Sequence, residues 1–281
     1  MDDKPTVPTT TAYPHGHHSS ILRGHQWRTA ENSAGYLLPH LQPWMHILDI
    51  GCGPGTITVD LARAVPQGHV TGLERSDIDP SVLAQAMAYA HQQGVSNVTF
   101  TQGDGNALEY ADETFDVVLC HQVLQHVPDP VGMLKEMHRV TKAGGGIVAA
   151  READLGAAIW YPQDDVMDEW QRLLMKVQLS SGCQPHAGRM VHSWARQAGF
   201  SPTEIRYTWS SWCYHTPKEI GWYSGLMSER IVAAGMATLA VMHGLATPEE
   251  LEQIAAGWRR WGALEDAFFS FPSGEIICRK G

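Results

Sequence analysis

The stretch Ile47-Leu48-Asp49-Ile50-Gly51-Cys52-Gly53-Pro54-Gly55 constrains this chain more than any other. Residues 47–50 form a short apolar run of the kind buried in parallel sheets. Three glycines follow at alternate positions, and Thr56 to Ala64 has the spacing of an amphipathic helix. Strand, glycine turn and helix start together make a backbone cradle for a nucleoside-type cofactor. A residue without Cβ can take positive φ and let a ligand approach the main chain. The first turn of the helix adds N–H groups with no partner inside the helix.

The glycine spacing discriminates between ligands. A dinucleotide fingerprint runs Gly-x-Gly-x-x-Gly and seats a pyrophosphate on the helix N-terminus. Here the third glycine comes one residue early, and Asp49 stands two residues before the first. The Asp-x-Gly-x-Gly-x-Gly form resembles motif I of class I S-adenosylmethionine-dependent methyltransferases. Three further segments fall where that family has its motifs. Gly68 to Ser76 reads as a second strand ending in Glu74, which is 74 − 55 = 19 residues past Gly55. A carboxylate there can accept from both ribose hydroxyls, and Arg75 either lies over the adenine or points outward. Val98 to Leu108 is an alternating strand with a Gly103-Asp104-Gly105-Asn106 turn. By itself that turn is ordinary. The resemblance implies that Asp104 takes the adenine amino group and that the next backbone N–H bonds a ring nitrogen. Phe115 to Val127 is a central strand running into His121-Gln122-x-x-x-His126, whose end faces the methionine portion of the cofactor.

Over about residues 40–152 these segments resemble the small-molecule branch of that family, which includes the ubiquinone and menaquinone biosynthesis enzymes. The resemblance implies a Rossmann-like α/β fold: a mostly parallel seven-stranded sheet with an antiparallel last strand and a helical cap. It implies S-adenosylmethionine as cofactor and S-adenosylhomocysteine as product. The cofactor-binding residues it implies are Arg28, Asp49, Gly51, Cys52, Gly53, Gly55, Glu74, Arg75, Asp104, Gly105, Asn106 and His121. The Trp27–Asn32 lead-in and the Phe268–Glu275 stretch are similar to thiol methyltransferases of fungal secondary metabolism. That likeness implies S-methylation of a reduced dithiol such as dithiol gliotoxin. O-, N- or C-methylation, or a non-methylating regulator or pericyclase on the same fold, are the alternatives.

Bulk properties narrow the partners. Of 281 residues 43% are hydrophobic and 18% charged, which suits a globular chain. The net charge of −10 disfavours nucleic-acid binding, which needs a basic face. A small apolar or heteroaromatic acceptor is expected instead. The five cysteines are scattered with no Cys-x-x-Cys pair, so neither a zinc site nor a disulfide framework is expected. A reducing, cytoplasmic location fits that usage. The N-terminus lacks an apolar signal core. The apolar stretch Ile231 to Ala246 is interrupted by Gly235, Thr238, His243 and Gly244, and reads as a buried helix, not a membrane span.

The expected organisation is a flexible arm over residues 1–20, a cofactor-binding core over 21–154, and a remainder over 155–281. Helical structure is expected from Ile21 to His40. The remainder holds core strands at about 203–214 and 268–279, with cap insertions at about 155–188 and 216–262. Thr216-Pro217 and Thr247-Pro248 each pair an N-cap with proline at the first helical position, so two helices are expected between the last two strands. For the chemistry, His126 is the catalytic candidate, a base looking into the acceptor pocket. His121 either shares that role or packs beside the cofactor. A thiol acceptor needs only modest help, because its thiolate is already a strong nucleophile. Trp160, Trp170, Trp209, Trp212, Trp222, Trp258 and Trp261 fall in the cap or its edges and as a set suit a flat acceptor.

Overall fold

In the computed structural model, which describes Gly24 and residues 27–281, the chain enters the sheet through a short helix α1 (Ala30–Ala34) and a 3-10 turn (Leu38–His40). The arm expected over residues 1–20 lies outside the described residues, as do Ile21 to Arg23. Among the described residues, the helical structure expected from Ile21 to His40 takes the form of these short segments. Thr29 and Asn32 make a reciprocal capping box that starts α1 at Ala30. Pro39 has no N–H to continue an α-helical ladder, so the next turn is 3-10.

From His46 onward, apolar strands alternate with amphipathic helices. The elements are β1 (His46–Ile50), α2 (Thr56–Ala64), β2 (His69–Glu74), α3 (Ser81–Gln92), β3 (Val98–Gln102), β4 (Val117–His121), α4 (Pro130–Val140) and β5 (Ile147–Ala153). β1 pairs in parallel with β2 and β4, β2 with β3, and β4 with β5. The strand order therefore reverses direction around β1 and β4, and the crevice at their carboxyl ends is the ligand position of an open α/β sheet. Opposite faces of these strands feed two separate cores. Leu48, Val118 and Val148 pack on one side, and Ile47, Val117 and Ile147 on the other.

The rest of the chain comprises β6 (Ile159–Tyr161), α5 (Asp165–Ser180), α6 (Ala187–Gln197), β7 (Ile205–Tyr214), α7 (Pro217–Ala233), α8 (Gly235–Met242), α9 (Pro248–Trp261) and β8 (Phe268–Arg279). β8 is antiparallel to every strand it touches. One edge of it pairs with β5 and then with the short β6, and the other edge takes the whole of β7. The seven expected strands are present with β8 as the antiparallel last one, and β6 makes the sheet eight-stranded by prolonging the line of β5.

Helices α5, α7, α8 and α9 gather around a third core in which Trp170, Trp258, Trp261 and Phe269 are buried. Both expected N-caps form, each as part of a capping box. Thr216 accepts from the Glu219 N–H and Thr247 from the Glu250 N–H, each with proline inside the first turn. Three helices, not two, join β7 to β8. The apolar stretch expected as one buried helix is broken at Ala234, whose backbone is extended (φ −92°, ψ 174°) ahead of the poor helix former Gly235. The two helices meet at a 43° bend, and no single helix among the described residues is long and apolar enough to cross a membrane.

Candidate active site

All three motif glycines have the positive φ anticipated for them: 74° at Gly51, 52° at Gly53 and 80° at Gly55. The turn is tied to the end of β2. The Gly51 N–H donates to the Leu73 carbonyl at 2.7 Å, and the Gly53 N–H donates to the Glu74 carboxylate at 2.9 Å. The Arg75 N–H donates to the other oxygen of that carboxylate at 3.0 Å. Each oxygen keeps a lone pair for a further donor. A Cβ on Gly51 would overlap the Val123 side chain, whereas a Cβ on Gly53 would meet nothing within 4 Å. Gly53 thus borders open space beside Glu74, a cradle of the kind a nucleoside cofactor fits.

Burial sets the charge states here. Asp49 is enclosed and its carboxyl rises to about 7, because desolvation outweighs the hydrogen bond from the Thr58 hydroxyl at 2.6 Å, and the charge of Glu74 adds to the rise. That bond straps the start of α2 to β1. Burial likewise raises Glu74 against the pull of its two N–H donors. It also raises the Cys52 thiol well above its ordinary value, which leaves a protonated thiol packed under the turn. Arg75 sends its guanidinium to Asp77 at the surface. Gly103 donates to the Glu74 carbonyl at 2.9 Å, which brings the Asp104 turn alongside Glu74. In that turn Asp104 Oδ1 accepts from the Asn106 N–H at 2.9 Å, and Gly105 packs beneath against Met133 and Ile50.

The segment after β4 forms the other wall. His121 is buried with its ring 5.7 Å from that of Trp212. Gln122 has φ 54°, uncommon for a residue with a side chain, and its Oε1 accepts from Arg28 at 2.7 Å. The backbone N–H groups of Val123, Leu124 and Gln125 all donate to the Glu152 carboxylate, at 3.0, 2.9 and 3.1 Å. Glu152 is fully buried, and desolvation pushes it up to about 7 against those three bonds. The 3-10 turn Leu124–His126 ends with His126 facing a cavity that opens toward the cap. The side-chain amide of Gln125 donates to His126 Nε2 at 3.0 Å, occupying the ring's accepting nitrogen. Burial, helped by the charges of Arg28 and Arg75, lowers His126 to about 3. At neutral pH this imidazole is uncharged and a weak proton acceptor.

The cavity is walled by Trp27, Trp170, Trp212, Tyr214, Trp222 and Tyr223. Trp212 partitions it from the polar interior of the sheet. Arg28 lies 5.5 Å from its ring centroid and Arg151 4.6 Å, while its indole N–H donates to the Asn32 carbonyl at 2.6 Å. Of the other tryptophans, Trp258 and Trp261 pack inside the cap core, and Trp209 is half-exposed on β7.

The family model for a methyltransferase domain matches residues 41–199, which contain every element of this crevice from the glycine turn to Glu152. The chain is a class I S-adenosylmethionine-dependent methyltransferase. It is 34% identical over 272 residues to an uncharacterized methyltransferase of Schizosaccharomyces pombe, covering 95% of this chain and 96% of that one. A protein of Aspergillus luteorubrus named as a probable methyltransferase is 28% identical, covering 93% of this chain and 94% of its own. In fold, the methyltransferase is similar to a Bacillus halodurans crystal structure titled a methyltransferase, with TM-score 0.56, 19% identity and coverage of 88% and 99%.

Sequence reasoning missed Gln122 and Glu152 as parts of this methyltransferase's site, whereas Trp170, Trp212 and Trp222, named from the sequence as a set suited to a flat acceptor, do line the cavity. One signal was available: Arg151-Glu152 interrupts an otherwise apolar strand, and charges in a strand buried on both faces must have partners.

Proposed function

We propose that this methyltransferase alkylates a small, flat acceptor held in the aromatic cavity, and that the accepting group is a thiol of a reduced dithiol. The observation that carries the reading is the state of His126. His126, the imidazole that lines the cavity, is lowered to about 3 by burial, and its Nε2 already accepts from Gln125. An alcohol or carbon acid would demand a stronger base in that place. A thiol, with an ordinary pKa of about 8.5, ionises without one.

The residues present fit the cofactor. In this reading Glu74 takes the ribose hydroxyls, and the turn of Gly51, Cys52, Gly53 and Gly55 lies along the methionine tail, braced by Asp49. Asp104, Gly105 and Asn106 receive the adenine under the rim formed by Arg75. Arg28 faces the cofactor carboxylate, and His121 closes the crevice against Trp212. When bound, S-adenosylmethionine supplies an electrophilic methyl group on a sulfonium. The chain's own contribution is to align acceptor with that position and to exclude water from it. The division follows: residues 21–154 hold the cofactor, and α5 with α7–α9 cap the acceptor.

The purified protein, given methyl-labelled cofactor and reduced gliotoxin, is expected to place label on sulfur, read by mass spectrometry of the product. Label on a phenol, amine or carbon acceptor with none on the dithiol overturns the thiol assignment. For the same acceptor, His126→Asn is expected to keep kcat/KM within about tenfold of wild type, since a working general base is worth roughly 100-fold or more. A loss beyond that would restore His126 as the base.

A further inference from the structure

Trp212 lines a second cleft besides the acceptor cavity, and among the described residues it is the one common to both. The cleft measures about 510 Å³, the size of a small-molecule pocket and far more than one water needs. Its floor is the sheet face shared by β5, β7 and β8, and residues of α1 line one side. None of Gly51, Glu74, Asp104 or His126 borders it, so it is separate from the cofactor crevice. Arg151 lines this cleft yet is only 1% exposed. Its Nε donates at 3.2 Å to both Glu275 Oε1 and Ser210 Oγ. Glu275 also accepts from the Ser210 hydroxyl and, at 3.0 Å, from the Thr208 hydroxyl. Glu275 thus matches the charge of Arg151 and is fully engaged. What stays unmet is a donor: Arg151 Nη1 is buried with no hydrogen-bond partner among the described residues. Burying such a donor without an acceptor is costly. Stability alone does not account for keeping it, because apolar residues of similar volume can often replace a buried ion pair at no loss.

The donor narrows the ligand. A guanidinium N–H bonds carboxylate oxygens strongly, because the bond is charge-assisted. A doubly charged anion is disfavoured, since Glu275 stands on the same floor, 3.2 Å from Arg151 Nε. Arg206 and Glu31 are both exposed at the rim, where their opposite charges are screened by salt. Tyr36, Trp212 and Ile277 supply walls for an apolar body. We propose that this cleft is a second ligand site, that it takes a small monocarboxylate with an apolar body, and that Arg151 Nη1 donates to the carboxylate. The Arg151 guanidinium lies 4.6 Å from the ring centroid of Trp212. A ligand held there sits behind the aromatic wall of the acceptor cavity without entering either reacting pocket.

Calorimetry on the full chain with S-adenosylhomocysteine present tests the site, with cyclohexanecarboxylate, cyclohexanecarboxamide and inorganic phosphate as probes. The carboxylate is expected to bind about tenfold or more tighter than the amide, the scale of one hydrogen bond to a charged group, and phosphate more weakly than the carboxylate. The double variant Arg151→Met, Glu275→Gln removes the donor without stranding a buried carboxylate, and is expected to erase the preference for carboxylate over amide. Thr208→Trp fills the cleft from a strand position that suits an aromatic residue, and is expected to abolish carboxylate binding while melting close to wild type. Trp222→Ala alters the acceptor cavity alone and is expected to leave carboxylate affinity unchanged. Equal affinity for carboxylate and amide overturns the proposal, as does tighter binding of phosphate or no binding of the carboxylate at millimolar concentration. Undiminished binding in Thr208→Trp, or a loss in Trp222→Ala, places the probe elsewhere and overturns it too.

Discussion

Gly51→Val is expected to reduce affinity for S-adenosylmethionine about 100-fold or more and to lower the melting temperature. Two costs combine. At φ 74° a β-branched residue is strained, by about 1–3 kcal/mol. Its Cβ also overlaps the Val123 side chain, an overpacking cost of similar size, about 1–3 kcal/mol. Val123 cannot simply withdraw, since its N–H is bonded to Glu152 at 3.0 Å. The strain therefore passes into both walls of the crevice, the glycine turn and the segment after β4. Gly53→Ala separates fold from binding. It has a positive φ but open space for its Cβ, so it should weaken binding while melting close to wild type. Calorimetric titration with the cofactor checks both variants. Wild-type affinity in Gly51→Val would remove the turn from the binding site.

Replacing Glu152 is expected to have the next largest effect. Glu152→Leu nearly preserves shape but strands three backbone donors, each costing about 1–3 kcal/mol when buried without a partner. Part of that loss is offset because a buried carboxyl is removed as well. Glu152→Gln retains one accepting oxygen and should fall between Leu and wild type. The pH dependence distinguishes a buried acid from a merely polar group. Glu152 rises from the ordinary 4.5 to about 7 on folding, so the native state binds the proton more tightly than the unfolded chain. Its contribution is fully present below pH 4.5 and is lost as pH rises through about 7. The stability gap between wild type and Glu152→Gln should accordingly be widest in acid and narrow toward neutrality. Thermal melts of both proteins across that range would show it, and a constant gap would mean that Glu152 ionises as an ordinary glutamate.

What was legible in the sequence was local. The strand, glycine turn and helix of motif I occupy consecutive residues, and so do the threonine-proline helix starts at 216 and 247. Each reports a backbone requirement that neighbours alone satisfy. Glu74 was legible because the end of a strand fixes where its last side chain stands. The missed parts depend on partners far along the chain. Gln122 meets Arg28 across 94 positions, and Glu152 meets the N–H groups of residues 123, 124 and 125 across 29, 28 and 27. The environment of His126 was hidden for a related reason. Neither its burial nor the nearness of Arg28 and Arg75 is written in the residues beside it. The break at Ala234 was obscured because apolar composition persists through it, and Gly235 was read as a mild interruption and not as a helix start.

The bond from Trp212 to Asn32 has a consequence for how activity is gained and lost. Contacts of such sequence separation raise the contact order, and they form only after most of the chain has organised. The ligand crevice should thus have no existence in a half-assembled intermediate. In urea, cofactor binding and the circular dichroism of the sheet should vanish at one midpoint, as a single cooperative event.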